Sequence, residues 1–170
     1  MSMPERRWAA IDGAWSEKSE VAPGETIQIK VLLRPYRVTP FIQEVPVTIP
    51  PQAGRGNLRI QVSDGDLLNR MSRFRASSGQ GELTGLEELI QLINRERRND
   101  KLYVTLLQPS PTLLVEDKEL PNVPLSAINV LDHRRAPGGA TLLWESVAGE
   151  WSVEMKQVIS GQQYLTIRVR

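Results

Sequence analysis

The chain has 170 residues, with 21 Lys and Arg against 20 Asp and Glu, one His and no Cys. A formal charge of +1 leaves no global field to recruit nucleic acid or an anionic membrane, and the lack of Cys excludes disulfides and thiolate metal sites. With 40% hydrophobic and 24% charged residues, disorder is not expected, and 1–170 reads as a single domain with one well-buried core.

Met1–Trp8 is basic but has no apolar stretch behind it, and no run approaches the ~18 apolar residues of a membrane span. Neither a signal peptide nor a transmembrane segment is therefore expected, and the start close to strand-like sequence suggests a piece of a longer protein. Trp8, Ala10, Ile11, Gly13 and Trp15 form a broken alternation that fits one or two short strands. Pro23-Gly24 then opens a strand with Ile27, Ile29, Val31 and Leu33 in phase, and Phe41, Val45, Val47 and Ile49 form a second. Leu58, Ile60 and Val62 form a third. Period-two alternation between Pro and Gly breaks marks antiparallel strands that bury one face.

At Asp64-Gly65-Asp66 the period changes: Leu67, Leu68, Met71 and Phe74 fall at helical spacing, with Asp64 or Asp66 as cap and an end near Arg75. Ala76–Gly81 is a polar loop, and Thr84-Gly85-Leu86-Glu87 has the capping-box form for a second helix running to about Arg97. Lys101–Gln108, apolar on both faces, predicts a central strand. Prolines at 109, 111, 121 and 124 predict an extended wall, and Leu125–Leu131 a short helix. Three closing strands follow, Thr141–Ser146, Trp151–Ile159 and Gln163–Arg170, with turns at Ala148-Gly149-Glu150 and Ser160-Gly161. The expected fold is mainly β (α+β), an Ig-like antiparallel β-sandwich with two inserted helices and one short helix. Its strands occupy about 7–63 and 101–170, and its helical insertion about 64–98.

Little in the chain promises chemistry. His133 stands beside Asp132 at a helix end, where neighbouring side chains point about 100° apart, so Asp132 does not orient it easily. Ser63 or Ser126 could approach it in space, but no nucleophile elbow is present. Asp64-Gly65-Asp66 and Glu116-Asp117-Lys118-Glu119 are candidates for a hard cation, without the ligand spacing of an EF-hand, and read better as a cap and a solvated loop. Gly54-Arg55-Gly56 and Gly79-Gln80-Gly81 match no phosphate-binding pattern. The Arg70/Arg73/Arg75 and Arg95/Arg97/Arg98 clusters read as solvated helix faces. No catalytic residue, metal or cofactor is therefore expected.

The indoles are more informative, since a Trp in a β protein is either core or platform. Trp144 and Trp151 flank the expected turn at Ala148-Gly149-Glu150, which would leave one of them exposed to a partner. With Arg34, Arg37 and Arg59 they make the candidate ligand-binding set.

Several segments also share a likeness in order along the chain. They are Pro23-Gly24-Glu25-Thr26, Leu33-Arg34-Pro35-Tyr36-Arg37, Val45-Pro46-Val47-Thr48-Ile49-Pro50 and Val62-Ser63-Asp64-Gly65. Arg98-Asn99-Asp100-Lys101-Leu102-Tyr103-Val104, Leu120-Pro121-Asn122-Val123-Pro124 and Val158-Ile159-Ser160-Gly161 continue it. From about residue 15 onward the chain resembles the non-catalytic region C-terminal to the peptidase domain in exported bacterial proteins of the SpoIVB type. The resemblance implies an extracytoplasmic accessory domain that binds a neighbouring domain, protein or peptide. The family's nucleophilic serine motif lies upstream and has no counterpart here. A carbohydrate or envelope-ligand module using an exposed Trp and Arg is the alternative, and a free-standing hydrolase using His133 is the least favoured reading.

Overall fold

The structure, a computed structural model, describes residues 8–78, 90, 93–94, 96–115, 118–121 and 141–170. It is mainly β, with two sheets in a sandwich-like arrangement. The chain divides into two compact units, one of Met1–Leu68, Arg97–Gln108 and Val147–Arg170, the other of Asn69–Glu96 and Pro109–Ser146.

The first unit holds the sandwich. The strands in chain order are β1 (Trp8–Ser16), β2 (Glu20–Val21), β3 (Thr26–Pro35), β4 (Phe41–Thr48), β5 (Gly56–Ser63), β6 (Lys101–Val115), β7 (Lys118–Pro121), β8 (Thr141–Glu154), β9 (Val158–Ser160) and β10 (Gln162–Val169). Sheet A has the order β4-β3-β1-β9, and in sheet B the order β2-β10-β5-β6 lies in this unit, with β8 beside β6. In the second unit β7 pairs antiparallel with β6 from Thr112↔Pro121 to Val115↔Lys118.

The core follows from the alternation. Ile29, Val31, Leu33, Val45 and Val47 face inward from sheet A, and Leu58, Ile60, Val62, Leu102, Val104, Leu106, Ile167 and Val169 from sheet B. Each such branched side chain, removed from water, contributes about 1.5–3 kcal/mol before entropy is counted. The central position expected for Lys101–Gln108 is found, because Tyr103, Thr105 and Leu107 on its other face are buried as well.

Three expectations need correction. Two pairings are parallel, β1 with β9 and β10 with β2. Both arise where the chain changes sheets, after Ser16 and at Gly161, whose φ of 111° makes a sharp corner that costs glycine little. The expected turn at Ala148-Gly149-Glu150 is instead the middle of β8. Gly149 serves close packing: a Cβ there would lie 2.5 Å from the Trp151 ring. The strand expected over Trp151–Ile159 is divided, with β8 ending at Glu154 and β9 starting at Val158.

The first expected helix is α1 (Gly65–Ser78), three residues longer than its apolar pattern suggested. Asp64 is its cap: the Leu67 N–H donates to Asp64 Oδ1 at 2.7 Å. Of the second expected helix, residues 90, 93 and 94 are helical and most of the rest lie outside the described residues. The short helix over Leu125–Leu131, His133 and the Glu116-Asp117 pair lie outside them too. Among the described residues no helix is long and apolar enough to cross a membrane.

Candidate interaction surface

Sheet A turns an aromatic face outward. Ala9 and Ile11 are buried, so Trp8 and Ala10 stand on the outer side of β1. Continued alternation would place Trp15 in the core with Ile11. A bulge between Ile11 and Gly13 shifts the register by one residue, so that Gly13 pairs with Leu32 and Trp15 with Lys30. One extra residue flips every side chain that follows. Trp15 therefore joins Trp8 outside, the two being 39% and 43% exposed.

The neighbouring strands extend this surface. Val158 of β9 pairs with Trp8, and Ile42 of β4 pairs with Leu32. The Tyr36 N–H donates to the Trp8 carbonyl at 3.0 Å, which adds a rung at the β3–β4 connection. There Arg37 adopts φ 57° and its guanidinium lies 4.9 Å from the Tyr36 ring centroid. Of the ten exposed large hydrophobics among the described residues, Trp8, Trp15, Tyr36, Val38, Ile42 and Val158 belong to this face and its adjoining turn.

The charges on this face are paired among themselves. Arg34 bridges Asp12 at the bulge, and Lys30 bridges Glu17 and, at 3.8 Å, Glu44. The hydrogen bond from Lys30 holds the Glu17 carboxyl below the usual carboxylate range and raises the Lys30 ammonium above its own. At one end of the sandwich Glu25 is likewise lowered, first by Lys18 and then by the Ala22 N–H.

The free edge of sheet A is guarded. The bond from Ile49 N–H to the Glu25 carbonyl (2.8 Å) sets the phase of the β3–β4 ladder, which makes Pro46↔Gln28 a pair without mutual backbone bonds. The nitrogen of Pro46 therefore faces outward, where β4 has no donor to offer. Gln43 Nε2 donates to the Glu44 carbonyl at 3.0 Å and occupies the next acceptor. An added strand would lack a donor at Pro46 and a free acceptor at Glu44, whereas the face of sheet A carries the exposed aromatics.

The candidate residues divide accordingly. Arg34 lies on the outer face of sheet A and Arg37 at its turn. Arg59 belongs to sheet B, with its guanidinium 4.7 Å from the Tyr164 ring centroid. Trp151 is half-buried against the core, and the side chain of Trp144 lies outside the described residues. Trp8 and Trp15, the exposed indoles, stand outside that set. The exposure of Trp8 was legible in its alternation with Ala9 and Ile11, whereas that of Trp15 depends on the bulge.

A second polar construction ties the sandwich together. Asp64 Oδ2 accepts the Gly161 N–H at 2.8 Å, and the Asp64 N–H donates to the Gly161 carbonyl at 3.2 Å. The Asp64 carboxylate thus caps α1 and holds the corner between β9 and β10. Arg97 meets Glu150 through two bonds of 2.9 Å, which raise the Arg97 guanidinium. Burial pushes the nearby Tyr103 hydroxyl up, partly offset by a hydrogen bond from the Arg98 backbone. These groups are held by one another, so the construction is structural.

No family model, curated protein or solved structure matches the chain. The functional reading therefore rests on this surface and on the motifs quoted above.

Proposed function

We propose that the chain is a non-catalytic accessory domain of a bacterial cell-envelope or secreted protein, and that it docks a neighbouring domain or protein on the outer face of sheet A. The observation that carries the reading is the gathering of Trp8, Trp15, Tyr36, Ile42 and Val158 on one sheet face. Their summed exposed area is on the order of 500 Å², distributed along the length of β1. Buried aromatics dominate the energy of most interfaces, and the paired charges around them form a ready polar rim. The envelope setting comes from the motif resemblance alone, and the non-catalytic reading from the residue set together with that resemblance.

A second reading, a carbohydrate or envelope-ligand module, is favoured by the placing of the Arg34–Asp12 pair between the two indoles of β1. Seven residues of strand separate the indoles by roughly 20 Å. They cannot sandwich one sugar ring, so a carbohydrate would have to be an extended chain. The broad spacing favours a protein partner.

The test is a Trp8→Ser/Trp15→Ser double variant, studied against a peptidase domain of the SpoIVB type, the neighbour that the resemblance implies. Association is expected to weaken by at least about tenfold while the circular dichroism spectrum stays unchanged. Unaltered affinity for that domain rejects the reading. Quenching of the parent's indole fluorescence by an oligosaccharide, lost in the double variant, would support the second one instead.

A further inference from the structure

The outer face of sheet B is closed along β6 and open along β10. On the open part Asn57 and Arg59 of β5 stand beside Tyr164, Thr166 and Arg168 of β10, with Arg59 opposite Thr166 and Arg168 opposite Asn57. Arg170 follows in the same phase. Backbone bonds from Arg168 N–H to Ser19 (2.9 Å) and from Arg170 N–H to Val21 (3.0 Å) hold both residues extended. Arg59, level with Thr166 but one strand across, Arg168 and Arg170 therefore rise along one face at two-residue steps of about 7 Å. Neither β5 nor β10 contains an acidic residue, so the positive charge of this strip lies at Arg59 and Arg168, whereas Arg170 at its end is bonded to Glu20 and lies near Glu25.

We infer that this arginine ladder binds an extended acidic segment of a partner protein, with carboxylates on alternate residues. An extended peptide presents alternate side chains on one side at the same repeat of about 7 Å, so three carboxylates can meet three guanidiniums in register. Each guanidinium is a planar fork suited to a carboxylate. The molecule already contains one such contact: Arg170 Nε donates to Glu20 Oε2 at 3.1 Å. The Arg59 guanidinium lies over the Tyr164 ring, and Arg59 has a further contact. The ring face that it covers is not offered to a nucleic-acid base. Arg168 has no ion pair among the described residues and is the rung most open to a ligand.

The experiment compares two labelled peptides of about ten residues and equal composition, one alternating Glu with Ser and one with the Glu residues in a block. Binding to the whole chain is read by fluorescence anisotropy at low salt. The alternating peptide is expected to bind about tenfold more tightly, and Arg168→Glu to remove most of that affinity. Arg168→Lys is expected to retain part of it, since charge remains but the fork is lost. Equal affinity for the two peptides, equally tight binding of single-stranded DNA, or no binding of either peptide overturns the inference. Trp8→Ser lies on the other sheet and should leave the peptide affinity unchanged, so this result and that for sheet A are separable.

Discussion

Sheets A and B contribute matching aliphatic rows to one core, yet their outer faces differ. On sheet A the outward residues are solvent-facing and rich in aromatics, and their charges are paired locally. On sheet B the outward residues of β6, Tyr103, Thr105 and Leu107, are buried, and the hydroxyls of Ser63 and Thr105 find no hydrogen-bond partner among the described residues. The inner faces answer to folding alone, and alternation determines them. The outer faces carry the individuality of this sandwich, one as an exposed platform and the other partly covered and partly basic.

That contrast can be tested by substitution. Leu107→Ala, on the covered face, should destabilise the protein by about 2–4 kcal/mol, read as a lower urea midpoint, as for a core leucine. A cost below about 1 kcal/mol would mean that the face is open. Asp64→Ala removes the acceptor of both the Leu67 and Gly161 N–H groups and should cost about 2–3 kcal/mol. Asp64→Asn is expected to recover part of that loss in the same titration. Gly149→Ala drives a methyl into the Trp151 ring and should cost about 1–2 kcal/mol, with a change in near-UV circular dichroism. If Gly149 were instead a turn residue, the aromatic signal would not move.

Trp15→Ser, on the platform, should change the urea midpoint by less than the equivalent of about 1 kcal/mol while reducing partner affinity. The smallest effect concerns pH. Folded-state carboxyls of Glu17 and Glu25 titrate below their unfolded values, so their contribution is present above the usual carboxylate range and is lost as pH falls through the lowered values. Acid titration of the urea midpoint should show a modest decline over that window, smaller in Glu17→Gln and Glu25→Gln variants.

Much of the sandwich was legible because burial of one strand face leaves a period of two in the sequence. Val45 and Val47, or Leu58, Ile60 and Val62, announce both a strand and the side of it that is buried. The Asp64 cap was legible as well, since the period changes beside a residue with a short side-chain acceptor. Gly149 misled because glycine marks a turn and a close packing contact equally well, and only the position of the Trp151 ring separates the two. The candidate set does not gather in one place: Arg34 belongs to the aromatic face, while Trp151 packs against the core and Arg59 lies on the other sheet.

By itself, the sequence determined β3, β4 and β5, their inward rows and the start of α1, because each depends on neighbours a few positions away. Tertiary structure alone decided the side on which Trp15 emerges, the parallel pairings at the sheet changes, and the gathering of Trp8, Ile42 and Val158. Those outcomes depend on register and on strands distant in the chain, and a single inserted residue at Asp12 inverts a face without altering any local preference.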